Sequence, residues 1–118
     1  MVGGGQLARM SHQAAIALGQ SLRVLAASPG DPAALVCADV HLGSPDDLDA
    51  LRGLARDAEA VTFDHEGVPG ELLRILVAEG VAVHPGPDAL LHAQDKLVMR
   101  RALAGIAGMP AYVEVADT

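Results

Sequence analysis

Gly3-Gly4-Gly5-Gln6-Leu7-Ala8-Arg9-Met10 is a glycine run that follows an apolar residue and opens a helical pattern. That order reads as strand, tight loop and helix start. Glycines let the backbone take positive φ and let a ligand approach the peptide plane. The free N–H groups of the first helical turn then face whatever lies above the loop, with a partial positive charge suited to phosphate or carboxylate. Gly3-x-Gly5-x-x-Ala8 also fits the looser dinucleotide fingerprint, although a tight crossover that holds no ligand has the same composition. Only Met1 and Val2 stand ahead of the loop, where a strand of about five residues is usual. The expectation is a first strand that is mostly missing.

Size and composition narrow the classes. A chain of 118 residues supports one core. With one Phe, one Tyr and no Trp, that core must be built from Leu, Val, Ile and Ala, the residues of a helix-covered parallel sheet. The formal net charge of −7 argues against a nucleic-acid surface, since cations cluster only at Arg100-Arg101. Cys37, the single cysteine, excludes an internal disulfide and fits a reducing compartment as a small buried residue. There is no basic segment followed by a long apolar run, and no stretch nears the ~18 apolar residues of a membrane span. A cytoplasmic location is the resulting expectation, without a membrane or nucleic-acid partner.

Outward from the glycine loop, Leu7, Met10, Ala14 and Leu18 recur at helical spacing before Gly19. Leu22 to Ala26 predicts a strand, although Arg23 interrupts its apolar run. Ser28-Pro29-Gly30-Asp31-Pro32 is turn chemistry. Ala33 to Cys37 suits one helical turn, and Asp39 to Leu42 a short strand. Ser44 or Asp46 can cap a helix whose apolar face is Leu48, Leu51, Leu54, Ala55 and Ala58. Ala60 to Phe63 reads as a buried strand running into Asp64-His65-Glu66. The next helix turns Leu72, Leu73, Leu76 and Val77 inward, and Val81 to His84 forms a further strand. Helical pattern runs from Asp88 to Gln94 and again from Asp95 to about Ala107. Ala111 to Val115 looks like the beginning of another strand.

Strands alternating with helices define an α/β fold: a Rossmann-like parallel sheet with helices on both faces, its first strand truncated. Ligands in such sheets sit beyond the carboxyl ends of the strands. There the glycine loop, Asp64-His65-Glu66 and Pro85-Gly86-Pro87 are expected to meet. A nicotinamide dehydrogenase fits poorly, because the second strand ends in Ala26, Ala27 and Ser28 rather than the acidic residue that holds ribose hydroxyls. No Gly-Lys-Ser/Thr follows the glycines, so a Walker loop is absent. The histidines at 12, 41, 65, 84 and 92 lack the close pairing of a zinc site. Strand alternation puts Asp64 and Glu66 on one side. Two such carboxylates suit an amine, a polyol or a cation, and equally a solvated acidic loop.

Three motifs in order, Gly3 to Met10, Val61-Thr62-Phe63-Asp64-His65-Glu66-Gly67-Val68-Pro69 and Ala93-Gln94-Asp95-Lys96-Leu97, together closely resemble the N-terminal part of 5-(carboxyamino)imidazole ribonucleotide synthase. That family comprises the ATP-grasp carboxylases of purine biosynthesis, and the resemblance runs through Gly108-Met109-Pro110. It implies a ligase in which ATP phosphorylates bicarbonate and the amine of 5-aminoimidazole ribonucleotide captures the carboxyl group, with Mg2+ on the ATP phosphates. It implies a homodimer for the full-length protein. It places Gly4, Gly5, Gln6 and Leu7 at the phosphoribosyl end of the substrate, Glu66 at its hydroxyl or amine groups, and Lys96 at ATP. The family usually has Glu where Asp64 stands, an aromatic or aliphatic residue at His65, and often Asn or His at Gly67.

The same resemblance divides the chain into a pre-ATP-grasp domain, 1–87, and a helical linker with the first strand of an ATP-grasp domain, 88–118. The ATP-grasp region itself lies outside the sequence, so no catalytic or metal-binding residue is assigned and the chain is expected to be inactive alone. The competing expectations are a non-catalytic phosphate- or nucleotide-binding module and a piece of another ATP-grasp ligase, such as a formate-dependent purine transformylase.

Overall fold

The structure, a computed structural model, describes residues 1–115. The last three residues of the expected 88–118 segment therefore lie outside the described residues. Strand β1 (Arg23–Ala26) pairs in parallel with β2 (Asp39–Leu42), Arg23 opposite Asp39 and Ala26 opposite Leu42. Val2 bridges Leu25 on one side and Phe63 on the other, and Val61 bridges Val83, all in parallel. The lateral order is β2, β1, Val2, residues 61–63 and Val83. Met1 and Val2 thus lie at the centre of the sheet, between β1 and residues 61–63. The expected strands at 60–63 and 81–84 shrink to isolated bridges, because each needs a longer neighbour to pair with.

Five helices complete the described residues: α1 (Gln6–Ala17), α2 (Leu48–Ala55), α3 (Gly70–Ala78), α4 (Pro87–Gln94) and α5 (Lys96–Leu103). Helices α1 to α4 cover both faces of the sheet, as side-chain alternation along Val24 and Leu25 shows. Leu25, Val2 and Val61 pack with Leu51 and Leu54 of α2, Leu73 and Leu76 of α3, and Leu90 of α4. Val24 faces the other way, onto Ala8 of α1, Ala33 and Cys37. Burial pushes the Cys37 thiol pKa up, in keeping with a small core residue.

Arg23, the charge inside an apolar strand, is explained by this packing. Its guanidinium donates to the carbonyl oxygens of Leu54 and Arg56 at the end of α2 and pairs with Asp39. A cation therefore satisfies the last carbonyls of one helix while its stem covers the sheet.

Four local expectations are corrected. The cap of α2 is Asp47, whose carboxylate accepts from Asp49 N and Ala50 N, one position from Asp46; Ser44 instead accepts from Asp46 N. Ala58 and Val77 are exposed rather than inward, since α2 stops at Ala55 and the inward stripe of α3 is Leu73 and Leu76. The apolar stripe of α1 faces solvent, with Leu7 61% and Leu18 75% exposed. Gly4 brings the start of α1 so near the sheet that a Cβ there would stand 2.7 Å from the Ala26 Cβ, and only the small Ala8 fits the contact. Residues 111–115 form no strand, because nothing among the described residues pairs with them and Val113 and Val115 stay exposed.

Candidate functional site

The glycine loop is held from both sides by backbone bonds. Gly3 N–H donates to Leu25 O at 2.9 Å, Val2 N–H to Thr62 O at 2.7 Å, and Asp64 N–H to Val2 O at 3.0 Å. These bonds carry Asp64 to the loop. Its Oδ2 accepts the Gly5 N–H at 2.9 Å, so a side chain from a distant strand caps the first turn of α1, whose own N-cap residue has no side chain to do so. Gly3 has φ +109°, and a Cβ there would overlap the Asp64 carboxylate at 1.6 Å. Glycine is required at that position on both counts.

The Asp64 side chain is only 6% exposed, and its Oδ1 is buried without a hydrogen-bond partner. His65 Nε2 lies 3.8 Å from that oxygen, too far for a hydrogen bond. The His65 ring is oriented by its Nδ1, which accepts the Gly67 N–H at 3.0 Å. That bond leaves Nε2 as the protonated nitrogen in the neutral ring.

Asp31 stands across the loop, where its Oδ2 accepts from Ala27 N at 3.0 Å and Ser28 N at 3.2 Å. Between these carboxylates lies a cavity of about 440 Å³, lined by residues 3–7, Leu25, Ala27, Asp31, Gly43, Pro45, Asp64 and His65. The N–H groups of Gln6 and Leu7 have no acceptor within α1, as at any helix start. Among the described residues no Lys or Arg lines the cavity.

Of the residues singled out by sequence, Gly4, Gly5, Gln6 and Leu7 meet at this cavity. Glu66 is exposed and does not line it. The strand ends at Asp64 and the chain bends through 64–66, so the alternation that put Asp64 and Glu66 on one side does not extend that far. The Glu66 backbone is nevertheless fixed: Gln94 Nε2 donates to Glu66 O at 2.7 Å and to Val68 O at 2.8 Å. Pro85-Gly86-Pro87 leads into α4 and is not part of the lining, which the turns at Ala27–Asp31 and Gly43–Pro45 complete instead. Lys96 begins α5, with its Nζ donating to Ala93 O at 3.3 Å. Sequence reasoning missed Asp31 and the tie made by Gln94. The turn signal around Asp31 was visible, but its proximity to Gly4 depends on Ala33 N–H bonding Gly4 O at 2.9 Å.

A parallel α/β sheet with a glycine loop at the carboxyl end of its central strand places the chain in the doubly wound class, in which ligands bind beyond that edge of the sheet. The model of the ribonucleotide synthetase pre-ATP-grasp domain matches residues 1–94, and the chain belongs to that family. It is 65% identical over 114 residues to N5-carboxyaminoimidazole ribonucleotide synthase of Mycobacterium leprae, covering 96% of this chain and 26% of the relative. The crystal structure of N5-carboxyaminoimidazole ribonucleotide synthetase from Thermotoga maritima matches with TM-score 0.79 and 31% identity, over 87% of this chain and 29% of that one. The Aspergillus clavatus synthase, in complex with ADP and 5-aminoimidazole ribonucleotide, matches with TM-score 0.78 and 32% identity over 89% of this chain and 29% of that one. The chain thus spans well under a third of the length of these relatives.

Proposed function

We propose that this chain forms the ribonucleotide-holding N-terminal unit of an ATP-dependent ligase that carboxylates 5-aminoimidazole ribonucleotide with bicarbonate. The observation that carries the reading is the buried, unpartnered Oδ1 of Asp64 beside the glycine loop. A buried carboxylate oxygen without a donor is costly, and a ligand hydroxyl or amine relieves that cost. The free N–H groups of Gln6 and Leu7 supply the complementary donors for a ligand oxygen, with Gly4 and Gly5 permitting close approach. The substrate's hydroxyl or amine groups therefore face Asp64 in this reading, and Glu66 lies at the rim.

Asp31 and Asp64 make the cavity acidic, so most of the charge on a substrate phosphate must be neutralised by cations from other parts of the complete protein. ATP and Mg2+ belong to the same reading. Lys96, at the start of α5, is the proposed ATP contact in this chain, where an ammonium offsets phosphate charge. Mg2+ accompanies the ATP phosphates in this reading. Residues 1–87 form the pre-ATP-grasp domain in this reading, and the segment from 88 leads to the ATP-grasp region. Homodimerisation and a cytoplasmic location complete it; no helix among the described residues is long and apolar enough to cross a membrane.

Thermal unfolding with and without 5-aminoimidazole ribonucleotide tests the proposal. A ligand that binds only the folded chain raises the midpoint by mass action. The expected result is an upward shift that Asp64→Asn abolishes. An unchanged midpoint for the unsubstituted chain at millimolar ligand overturns it.

A further inference from the structure

The peptide group between Glu66 and Gly67 is held at both of its polar ends by side chains. Its oxygen, Glu66 O, accepts from Gln94 Nε2 at 2.7 Å. Its N–H, on Gly67, donates to His65 Nδ1 at 3.0 Å. The same Gln94 nitrogen gives its second proton to Val68 O at 2.8 Å, so one carboxamide uses both of its donors on carbonyls two residues apart. Val68 is fully buried in the core. Gly67 lets the His65 ring lie close over this peptide, since a Cβ there would stand 3.1 Å from Nδ1. Gln94 is itself held on both sides. It is the last residue of α4, whose Leu90 packs against the sheet, and it precedes Asp95, whose carboxylate caps α5 through Leu97 N and Val98 N. Gln94 lies outside the glycine-loop cavity, which His65 and Asp64 line.

We propose that Gln94 is a positioning residue for this cavity, acting through the 66–67 peptide on the imidazole of His65. Its bond to Glu66 O fixes the plane of the peptide, and with it the direction of the Gly67 N–H. The same bond polarises the peptide and strengthens that N–H as a donor. His65 Nδ1 accepts along the one direction so defined, which sets the ring and leaves Nε2 facing the buried Oδ1 of Asp64 at 3.8 Å. The ring is 42% exposed, so packing alone does not hold it. A ligand entering the cavity thus meets the His65 donor beside the Asp64 acceptor, both already oriented, and no free side chain has to be ordered on binding. The inference rests on the reading of this cavity as the ribonucleotide site.

Two substitutions test this. Gln94→Met keeps the length of the side chain and removes both donors, and Gln94→Glu sets an acceptor against the two carbonyls. Both are expected to speed amide exchange at Gly67 by about tenfold, while Leu51 in α2 exchanges as before, which separates the effect from unfolding. In alkaline solution, where a histidine ring is neutral, the ring-nitrogen NMR shifts of His65 should pass from a single Nε2–H tautomer to an average of two. Affinity for 5-aminoimidazole ribonucleotide should fall about fivefold, and in a His65→Phe background Gln94→Met should weaken binding by at most about twofold further. Unchanged exchange at Gly67, an unchanged ring-nitrogen signature, or an equal loss of affinity in the His65→Phe background overturns the proposal. The first two readouts need no ligand, so they fail separately from the ribonucleotide reading. A chain that shows both of these changes but binds no ribonucleotide overturns that reading, and the proposal with it.

Discussion

The carboxylate of Asp64 accepts the Gly5 N–H at 2.9 Å across 59 positions of sequence. A side chain from one strand end thereby caps a helix that begins at another, and the glycine loop is closed by tertiary structure rather than by its own residues. Asp64→Ala removes a charge-assisted bond, and also an oxygen that is buried without a partner. The net loss is expected at about 1 kcal/mol, read as a lower denaturant midpoint at unchanged slope.

Gly3→Ala meets two obstacles at once, a left-handed φ of +109° and a Cβ 1.6 Å from Asp64 Oδ1. It is expected to cost about 3 kcal/mol or more. Gly53→Ala in α2 is the contrast, since its Cβ meets only His41 Nδ1 at 3.6 Å. Alanine in a helix interior stabilises by roughly 0.5–1 kcal/mol over glycine. Thermal unfolding of the two variants should shift in opposite directions.

The Met1 amine gives stability a pH dependence. Burial, chiefly, lowers its pKa from 8.0 to about 6. Between those values the unfolded chain holds a proton that the folded chain has released, so this contribution to stability rises with pH across the window. Two units correspond to about 2 to 3 kcal/mol. Urea unfolding at pH 6 and pH 8 should show this gain, and acetylation of the N-terminus should flatten it.

Leu76 is fully buried against the sheet, whereas Leu7 on α1 is 61% exposed. Leu76→Ala is expected to cost about 2–5 kcal/mol through lost transfer energy and a cavity. Leu7→Ser should stay within about 0.5 kcal/mol, although both positions look alike in the helical pattern. Paired denaturant melts decide between them.

That contrast marks how far the sequence could be read. Leu51, Leu54, Leu73 and Leu76 were legible as core because a 3.6-residue period with neighbouring turns leaves one face for the sheet. The α1 stripe misled because periodicity reports which residues share a face, and not which face is covered. Close approach at Gly4 turned Ala8 inward. Asp64 and Glu66 were read as a pair on strand alternation, but the strand ends at Asp64, two residues short of Glu66.

By itself the sequence determined the α/β class, the strand-helix order and the glycine loop, all of which rest on local φ preferences and short-range apolar periods. Tertiary structure alone decided that Asp64 closes the loop, that Asp31 walls it and that Gln94 fixes Glu66. Each of these is a meeting of segments far apart in the chain, and such meetings follow from the sheet order, which no local pattern encodes.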